Sequence, residues 1–158
     1  MALCYNLIMA HDIITTNRKA LRDYFILETL EAGIELKGSE IKSIRKREVS
    51  LKESFAKVEK NAILLYNMHV RPYEFSRREE VDPVRPRKLL LKKRQIQYLA
   101  GKMSLKGQTL VPLKIYIKKG LAKIELALAK GKRFYDKREA LKAKEHKREI
   151  ERNLRKKR

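Results

Sequence analysis

The chain has 158 residues, enough for about one domain with a single core, and its 40 lysines and arginines against 19 acidic residues give a formal net charge of +21. A surplus of this size indicates a polyanionic partner, nucleic acid or an anionic membrane, and no apolar run is long enough to cross a bilayer. Because Cys4 is the only cysteine, an internal disulfide and a cysteine-based zinc cluster are excluded, which fits a reducing cytoplasm.

The first part of the chain predicts an extension followed by a long strand. Residues 1–12 form the predicted N-terminal extension, and they lack the basic region and cleavage site typical of a signal peptide. From Asp23 to Gly38, β-forming residues alternate loosely with charges. This pattern predicts a bent, half-exposed strand with its bulge or kink at Gly33.

A short helix is expected directly after that strand. Ser39 can cap it, Glu40 falls in its first turn, and Ile41 and Ile44 have the spacing of one helix face. Because both isoleucines would face the same side, the helix is expected to pack against the core.

A hairpin and a loop are predicted next. The strands are Ser54–Glu59 and Ala62–Val70, and Lys60 with Asn61 forms the turn between them. The charged, proline-containing stretch from Tyr73 to Lys88 predicts an exposed loop.

The second half of the predicted domain holds a helix and a second hairpin. Apolar residues recur at helical spacing over residues 92–103. Two apolar runs then flank Lys118, Lys119 and Gly120, which is the strongest hairpin signal in the chain. Pro112 lies in the first run and predicts an edge position or a strand end, because proline cannot donate to a β-ladder.

These elements predict a mainly β domain over residues 13–130. Short antiparallel strands with two to three short helices favour an OB-like antiparallel β-barrel. A β-sandwich satisfies the same pattern and stays open as an alternative.

The last segment, residues 131–158, is a basic tail with 13 lysines and arginines against 5 acidic residues. Its three large aliphatic residues are too few to bury a face, although most of its residues favour helix. We expect the tail to be disordered when free and helical when bound to a phosphate surface.

Signatures of catalysis are missing from the sequence, so a non-enzymatic protein without metal or cofactor is expected. His11, His69 and His146 are scattered and form no metal motif. Glu28 and Glu31 have the odd spacing that places strand residues on opposite faces, which makes them a poor acid-base pair.

The basic residues predict binding to a phosphate backbone. They concentrate in five stretches: Arg18 to Arg22, Lys42 to Arg47, Arg77 to Arg94, Lys114 to Lys123, and Lys130 onward. The Asn17 amide can read a base edge or a 2′-hydroxyl, and exposed aromatic rings can stack on unpaired bases. The candidate rings are Tyr24, Phe25, Tyr73, Tyr98, Phe134 and Tyr135, of which Tyr135 is favoured because it lies in the tail.

Four blocks in order carry a resemblance to a known family. NRKALRDYFILETLEAGIELKGSEIKSIR (Asn17–Arg45), DPVRPRKLLL (Asp82–Leu91), TLVPLKIYIKKGLAKIELALAKGK (Thr109–Lys132) and DKR (Asp136–Arg138) resemble blocks of small protein B, the tmRNA-binding family of bacterial ribosome rescue. The resemblance covers roughly residues 13–138, and it favours Met9 as the natural start.

The resemblance implies roles for particular residues. RNA-binding positions are Asn17, Arg18, Lys19, Glu31, Lys42, Arg87, Lys88, Leu91 and Lys123. Positions of the tail that bind the ribosome are Lys132, Arg133, Tyr135, Asp136, Lys137 and Arg138. Glu31 would repel phosphate, so it should either accept hydrogen bonds from RNA or orient a neighbouring cation. Some relatives have His where this chain has Tyr135. Tyrosine can still stack on a base, but it cannot supply a charged imidazole.

The family implies a monomeric cytoplasmic factor. Its barrel would bind the tRNA-like domain of tmRNA and stand in for the missing anticodon arm. Its tail would enter the decoding centre and the empty mRNA channel of the small ribosomal subunit. Alanyl-tRNA synthetase and elongation factor Tu would act on the same RNA. Two rivals stay open: a general OB-like RNA-binding or ribosomal structural protein, and an RNA-processing enzyme that uses carboxylates such as Glu28, Glu31 or Glu40.

Overall fold

A computed structural model describes residues 12–74, 82–104 and 107–132 of the chain. Its elements are β1 (Asp12–Thr16), α1 (Arg18–Asp23), β2 (Tyr24–Ile34), α2 (Gly38–Arg45), β3 (Val49–Ser50), β4 (Phe55–Glu59), β5 (Ala62–Tyr66), β6 (His69–Val70), β7 (Arg87–Leu90), α3 (Lys93–Met103), β8 (Gln108–Lys118) and β9 (Leu121–Gly131). The predicted extension apart from Asp12, and the predicted tail apart from Gly131 and Lys132, lie outside the described residues. Their boundaries and states stay predictions.

Six antiparallel strands close into a ring in the order β8, β4, β5, β7, β2, β9, and back to β8. Strand β1 pairs with β8 outside the ring, and β3 pairs with β6 in a separate two-stranded sheet. The barrel interior holds large aliphatic residues that are inaccessible to solvent: Ile63, Leu65, Leu99, Leu110, Ile115, Ile124 and Leu126. The predicted antiparallel barrel with two to three short helices is confirmed, and the closed ring excludes the sandwich.

Both predicted hairpin turns are confirmed by their backbone. Lys60 and Asn61 have φ of 43° and 61°, and Lys119 and Gly120 have φ of 51° and 78°. Two consecutive residues with positive φ match the twist of antiparallel strands and allow a two-residue connection. The run Ala62–Val70, however, is not one strand, because its end separates as β6 and pairs with β3.

The bulge of β2 lies between Ile26 and Glu28, not at Gly33 as predicted. Gly33 is needed for another reason. A Cβ atom added there would come within 3.2 Å of the Leu90 Cβ on β7, so a larger residue would push the two strands apart. The glycine therefore permits a close approach between strands.

Four elements were missed from the sequence, one of which is the two-residue strand β3. Strand β1 and helix α1 fall in the stretch before the first predicted strand, and β7 was assigned partly to a loop. Strand β7 has only four residues, and it exists because Leu89 pairs with Ile63 of β5 on one side and Ile34 of β2 on the other. These partners are distant in sequence, so no local pattern signals the strand.

The position of Pro112 differs from the prediction. It lies in the middle of β8, paired to Leu126 of β9, beside a bulge that ends at Lys114. On the other side of β8, the pairing with β4 involves Leu110, whereas the pairing with β1 begins at Lys114. Pro112 faces the gap between β4 and β1, so its missing N–H group costs no ladder bond.

Helix α2 begins at Gly38, two residues earlier than a cap at Ser39 would require, and its N-cap is Lys37. The Lys37 N–H donates to Glu40 Oε2 over 2.8 Å, so Glu40 caps the first turn with its side chain. The predicted helix over residues 92–103 corresponds to α3. Within the described parts of the chain, no helix is long and apolar enough to span a membrane.

Candidate nucleic-acid interface

One row of side chains runs across four strands on the outer surface of the barrel. Gly33 of β2 lies opposite Leu90 of β7 on one side and opposite Lys123 of β9 on the other. Lys123 lies in turn opposite Tyr116 of β8. Directly opposed residues of antiparallel strands share a face, as do residues two apart on one strand. We call this surface the β9 face and define it by Glu31, Gly33, Lys88, Leu90, Tyr116, Lys118 and Lys123.

Glu31 is held in place by two donors from β8. The Tyr116 hydroxyl donates to Glu31 Oε2 over 2.6 Å, and Lys118 Nζ donates to the same oxygen over 2.8 Å. The hydrogen bonds from Lys118 and then Tyr116 hold the pKa of Glu31 below its usual value. Because both donors use Oε2, the half-exposed carboxylate keeps Oε1 as an acceptor for a base edge or a 2′-hydroxyl.

Tyr116 shows the reverse effect. Burial, and then its hydrogen bond to Glu31, raise the pKa of the Tyr116 phenol. The phenol therefore stays protonated and keeps donating to the carboxylate. Of the two roles left open for Glu31 by the sequence, the structure shows that Glu31 orients Lys118.

Helix α2 extends the positive surface around one end of the barrel. Arg45 Nη2 donates to the Gly120 carbonyl over 3.3 Å, which brings the end of α2 to the β8–β9 turn. Lys42 and Lys46 are exposed, and their Nζ atoms lie 5.2 Å and 4.9 Å from the centre of the Tyr73 ring. Lys42 thus lies on the same end of the barrel as the turn that joins β8 to β9.

Asn17 is buried, and its amide is committed inside the fold. Its Oδ1 accepts from the Ala20 N–H over 3.0 Å and caps α1, while its Nδ2 donates to the carbonyls of Leu51 and Pro112 over 2.9 Å and 3.1 Å. Both Nδ2 hydrogens are therefore used. The predicted reading of a base edge by this amide is corrected to a structural role, which joins α1, the segment around Leu51 and β8.

Two substitutions of Asn17 distinguish the contribution of its helix cap to stability from that of its bonds to Leu51 and Pro112. Asn17→Ala should lower the free energy of unfolding by about 2–4 kcal/mol, because it removes the cap and two buried hydrogen bonds and leaves the Pro112 carbonyl without its donor. Asn17→Asp keeps the capping acceptor but cannot donate, so it should destabilise at least as much as alanine. Thermal or urea unfolding measures both variants. If Asn17→Asp were as stable as the original chain, only the cap would matter.

Arg18 and Lys19 lie on α1, away from the β9 face. Ala20 packs this helix on the outer side of β8 and β9 against a second apolar cluster formed by Val111, Leu113, Ala127 and Ala129. Lys19 forms an exposed ion pair with Glu53 and lines a groove of about 670 Å³ beside α1. The structure therefore divides the predicted RNA-binding residues between two regions.

Arg87 is fully buried, so the direct RNA contact predicted for it is corrected. Its guanidinium bonds Glu40 Oε1 through Nε over 2.9 Å and through Nη2 over 2.8 Å. The remaining donors reach the carbonyls of Met68, Pro83 and Arg85. Every N–H group of the Arg87 guanidinium is directed at a protein acceptor. Arg87 therefore stabilises the segment that leads into β7 and has no donor left for a ligand.

Lys88 on β7 and Leu91, directly after β7, differ in their exposure. Lys88 is exposed on the β9 face, as its predicted role requires. Leu91 is half-buried and packs against the barrel core, so only part of its side chain is available to a partner.

Only one of the predicted tail positions is described. The Lys132 N–H donates to the Asp23 carbonyl over 3.0 Å, and its Nζ lies 5.0 Å from the centre of the Phe25 ring. The other predicted positions lie outside the described residues: Arg133, Tyr135, Asp136, Lys137 and Arg138.

Sequence reasoning missed Tyr116 and Lys118 as members of the site. Both lie in the basic stretch Lys114–Lys123, and their even spacing places them on one face of a strand. That spacing was the available signal. The identity of their partner, Glu31, was not available because it lies 85 residues away from Tyr116.

The fold and this surface define a small basic β-barrel protein that presents a cationic outer face to a polyanion. The family model described as SmpB protein matches residues 14–156 of the chain. The chain therefore belongs to the SmpB family.

Individual relatives agree with this assignment. The SsrA-binding protein of Caldicellulosiruptor bescii is 59% identical over 145 residues, which span 92% of this chain and 89% of that protein. The SsrA-binding protein of Geobacillus thermodenitrificans is 59% identical over 143 residues, spanning 90% and 92%. A solved structure described as "tmRNA-SmpB: a journey to the center of the bacterial ribosome" matches with a TM-score of 0.66 and 49% identity over 82% of this chain and 94% of its own.

Proposed function

We propose that this protein binds the tRNA-like domain of tmRNA and brings it to stalled ribosomes in the cytoplasm. The observation that carries the proposal is the β9 face, where Lys118 and Lys123 lie beside an oriented carboxylate, Glu31, and Lys88 is exposed on the same surface, in a chain of the SmpB family. The names of its relatives and the solved tmRNA-SmpB structure support the same partner. The protein acts as a binding factor, not as an enzyme.

The β9 face suits a folded RNA because it combines two kinds of contact. Its lysines attract phosphates over a long range, which gives affinity that falls with salt. Glu31 cannot bind phosphate, so its remaining oxygen selects a hydrogen-bond donor at one position on the RNA surface. Lysines placed near one fixed acceptor fit an RNA whose phosphates and hydrogen-bond donors have a particular arrangement in space. A folded RNA has such an arrangement, whereas a uniform duplex repeats the same one along its length.

We further propose that the basic tail enters the decoding centre and the mRNA channel of the small subunit. Its charge surplus suits ribosomal RNA, and its few aliphatic residues suit a segment that folds on binding. Because β9 continues to Gly131 and Lys132 bonds to Asp23, the tail leaves the barrel beside α1. The protein would act as a monomer, while alanyl-tRNA synthetase and elongation factor Tu act on the same RNA.

A truncation separates the two proposed parts. Binding to the tRNA-like fragment of tmRNA is measured with tRNA as competitor, across a salt series, for the full chain and for a chain that ends at Lys132. We expect both to prefer the tmRNA fragment, and only the full chain to support rescue of stalled ribosomes. Equal binding of tRNA and tmRNA fragment would instead indicate a general RNA-binding protein.

A further inference from the structure

Strands β2, β9 and β8 continue past the end of the barrel that α3 closes. Phe25 lies opposite Lys130, and Lys130 lies opposite Gln108, so the three share one face. That face is the inner one, because Lys130 is two residues from Leu128, a member of the barrel core. The inner face thus continues outward as a short open surface.

Helix α3 forms the side of this surface. The Tyr98 hydroxyl donates to Glu28 Oε2 over 2.8 Å, and Glu28 lies opposite Leu128 in the ladder, on the same face as Phe25. The bond fixes the position of the Tyr98 ring relative to β2. We call this surface the α3 shelf and define it by Phe25, Tyr98, Lys102, Gln108, Lys130 and Lys132.

The shelf exposes aromatic rings and surrounds them with cations. Phe25 is 48% exposed and Tyr98 is 45% exposed, which is unusual for large rings in a barrel with a filled core. Lys132 Nζ lies 5.0 Å from the centre of the Phe25 ring, and Lys102 Nζ lies 5.5 Å from that of Tyr98. Exposed cation–π contacts of this kind are weak, so a ligand can displace the lysines.

We propose that the α3 shelf is a second RNA site, which binds unpaired nucleotides by stacking their bases on Phe25 and Tyr98. Rings within a cationic groove bind single strands because every base has a π-face and every nucleotide a phosphate.

The shelf is distinct from the β9 face. The β9 face lies on the outer surface of the sheet near the β8–β9 turn, whereas the shelf continues the inner surface at the opposite end of the same strands. The two sites can therefore hold different segments of RNA. The proposal goes beyond the proposed function and does not require that tmRNA be the ligand.

Charge selects RNA over a cationic or neutral partner. Lys102, Lys130 and Lys132 all belong to the shelf, and the nearby acid, Glu28, already accepts from Tyr98. An acidic protein segment would satisfy the lysines but would not need two exposed rings at fixed positions. We therefore commit to unpaired nucleotides as the occupant.

The test compares a ten-nucleotide oligouridine with an abasic strand of the same length, which keeps the phosphates and lacks the bases. The full chain should bind the oligouridine more tightly. In F25L/Y98L, apolar surface remains but stacking does not, so the preference should fall by at least about fivefold for each ring removed. The matched variant F25Y keeps both rings and the Tyr98–Glu28 hydrogen bond, and it should keep the preference.

Two further measurements make the outcome decisive. A 4-thiouridine strand should photo-crosslink to the peptides that contain Phe25 and Tyr98, and binding of the tRNA-like fragment through the β9 face should be unchanged in F25L/Y98L. An equal preference in the full chain and in F25L/Y98L overturns the proposal, as does no preference in the full chain. Tighter binding of an oligoglutamate peptide, abolished in F25L/Y98L, would also overturn it by assigning the shelf to a protein.

Discussion

Replacing Glu40 by alanine is expected to lower the free energy of unfolding by about 3–5 kcal/mol, because it would break a buried ion pair from one side. Glu40 is 4% exposed and balances two guanidinium groups. Its Oε2 accepts from Arg85 Nη2 over 2.6 Å, and its Oε1 accepts from Arg87 Nε over 2.9 Å. Without the carboxylate, a fully buried cation would remain with no counter-ion.

Removing the Glu40 carboxylate should also affect the β9 face. Glu40 lies on α2, while Arg85 precedes β7 and Arg87 is the first residue of β7, next to the exposed Lys88. The network therefore joins the helix that carries Lys42 to the strand that carries Lys88. Breaking this network should allow Lys42 and Lys88 to move relative to each other.

Urea unfolding of E40A beside E35A tests this expectation. Glu35 is exposed, so its removal changes the net charge equally but should alter stability by less than about 0.5 kcal/mol. A cycle with E40A, R87A and the double variant should show strong coupling, since the double variant removes both members of the buried pair. Additive losses would mean that the two side chains stabilise the fold independently.

The free energy of unfolding should also depend on pH through Glu40. Burial alone would raise the pKa of Glu40, but hydrogen bonds from Arg85 and the Lys37 N–H, with the charge of Arg87, outweigh it and hold the pKa below the usual 4.5. A carboxyl group with a depressed pKa stabilises the fold above its unfolded pKa, and this contribution disappears as the pH falls through the folded value. The unfolding free energy of E40A should therefore depend less on pH in the acid range.

Charge reversal on the β9 face is expected to have the largest effect on binding. The variant K88E/K123E should weaken binding of the tRNA-like fragment of tmRNA on the order of 100-fold, because it turns the attraction of two lysines for phosphate into repulsion. The slope of log affinity against log salt should also become shallower by about two, one for each lysine replaced. Filter binding or fluorescence anisotropy across a salt series measures both quantities.

The control for this prediction is K52E/K57E, which makes the same change in net charge away from the β9 face. Lys57 lies on β4, which is not a neighbour of β2 or β9 in the ring. This variant should weaken binding only severalfold, through the long-range field. Equal losses of affinity in the two variants would mean that net charge alone determines binding and that the β9 face has no special part.

The sequence by itself determined the features that rest on neighbouring residues or on composition. Both hairpin turns follow from two-residue connections between alternating runs, α3 from its apolar period, and a polyanionic partner from the charge. The resemblance added Glu31 and Lys123, which the fold brings onto one face. Each of these signals is carried within a short stretch, so no knowledge of distant contacts was needed.

Only the tertiary structure decided the features that depend on residues far apart in the chain. Arg87 reads as a surface cation, yet it is buried because Glu40, 47 residues earlier, neutralises it. Asn17 reads as an RNA-binding amide, yet two distant carbonyls take both of its donor hydrogens. A charged or polar side chain is exposed or buried according to whether the fold supplies its counter-charge and acceptors, and local sequence does not contain that information.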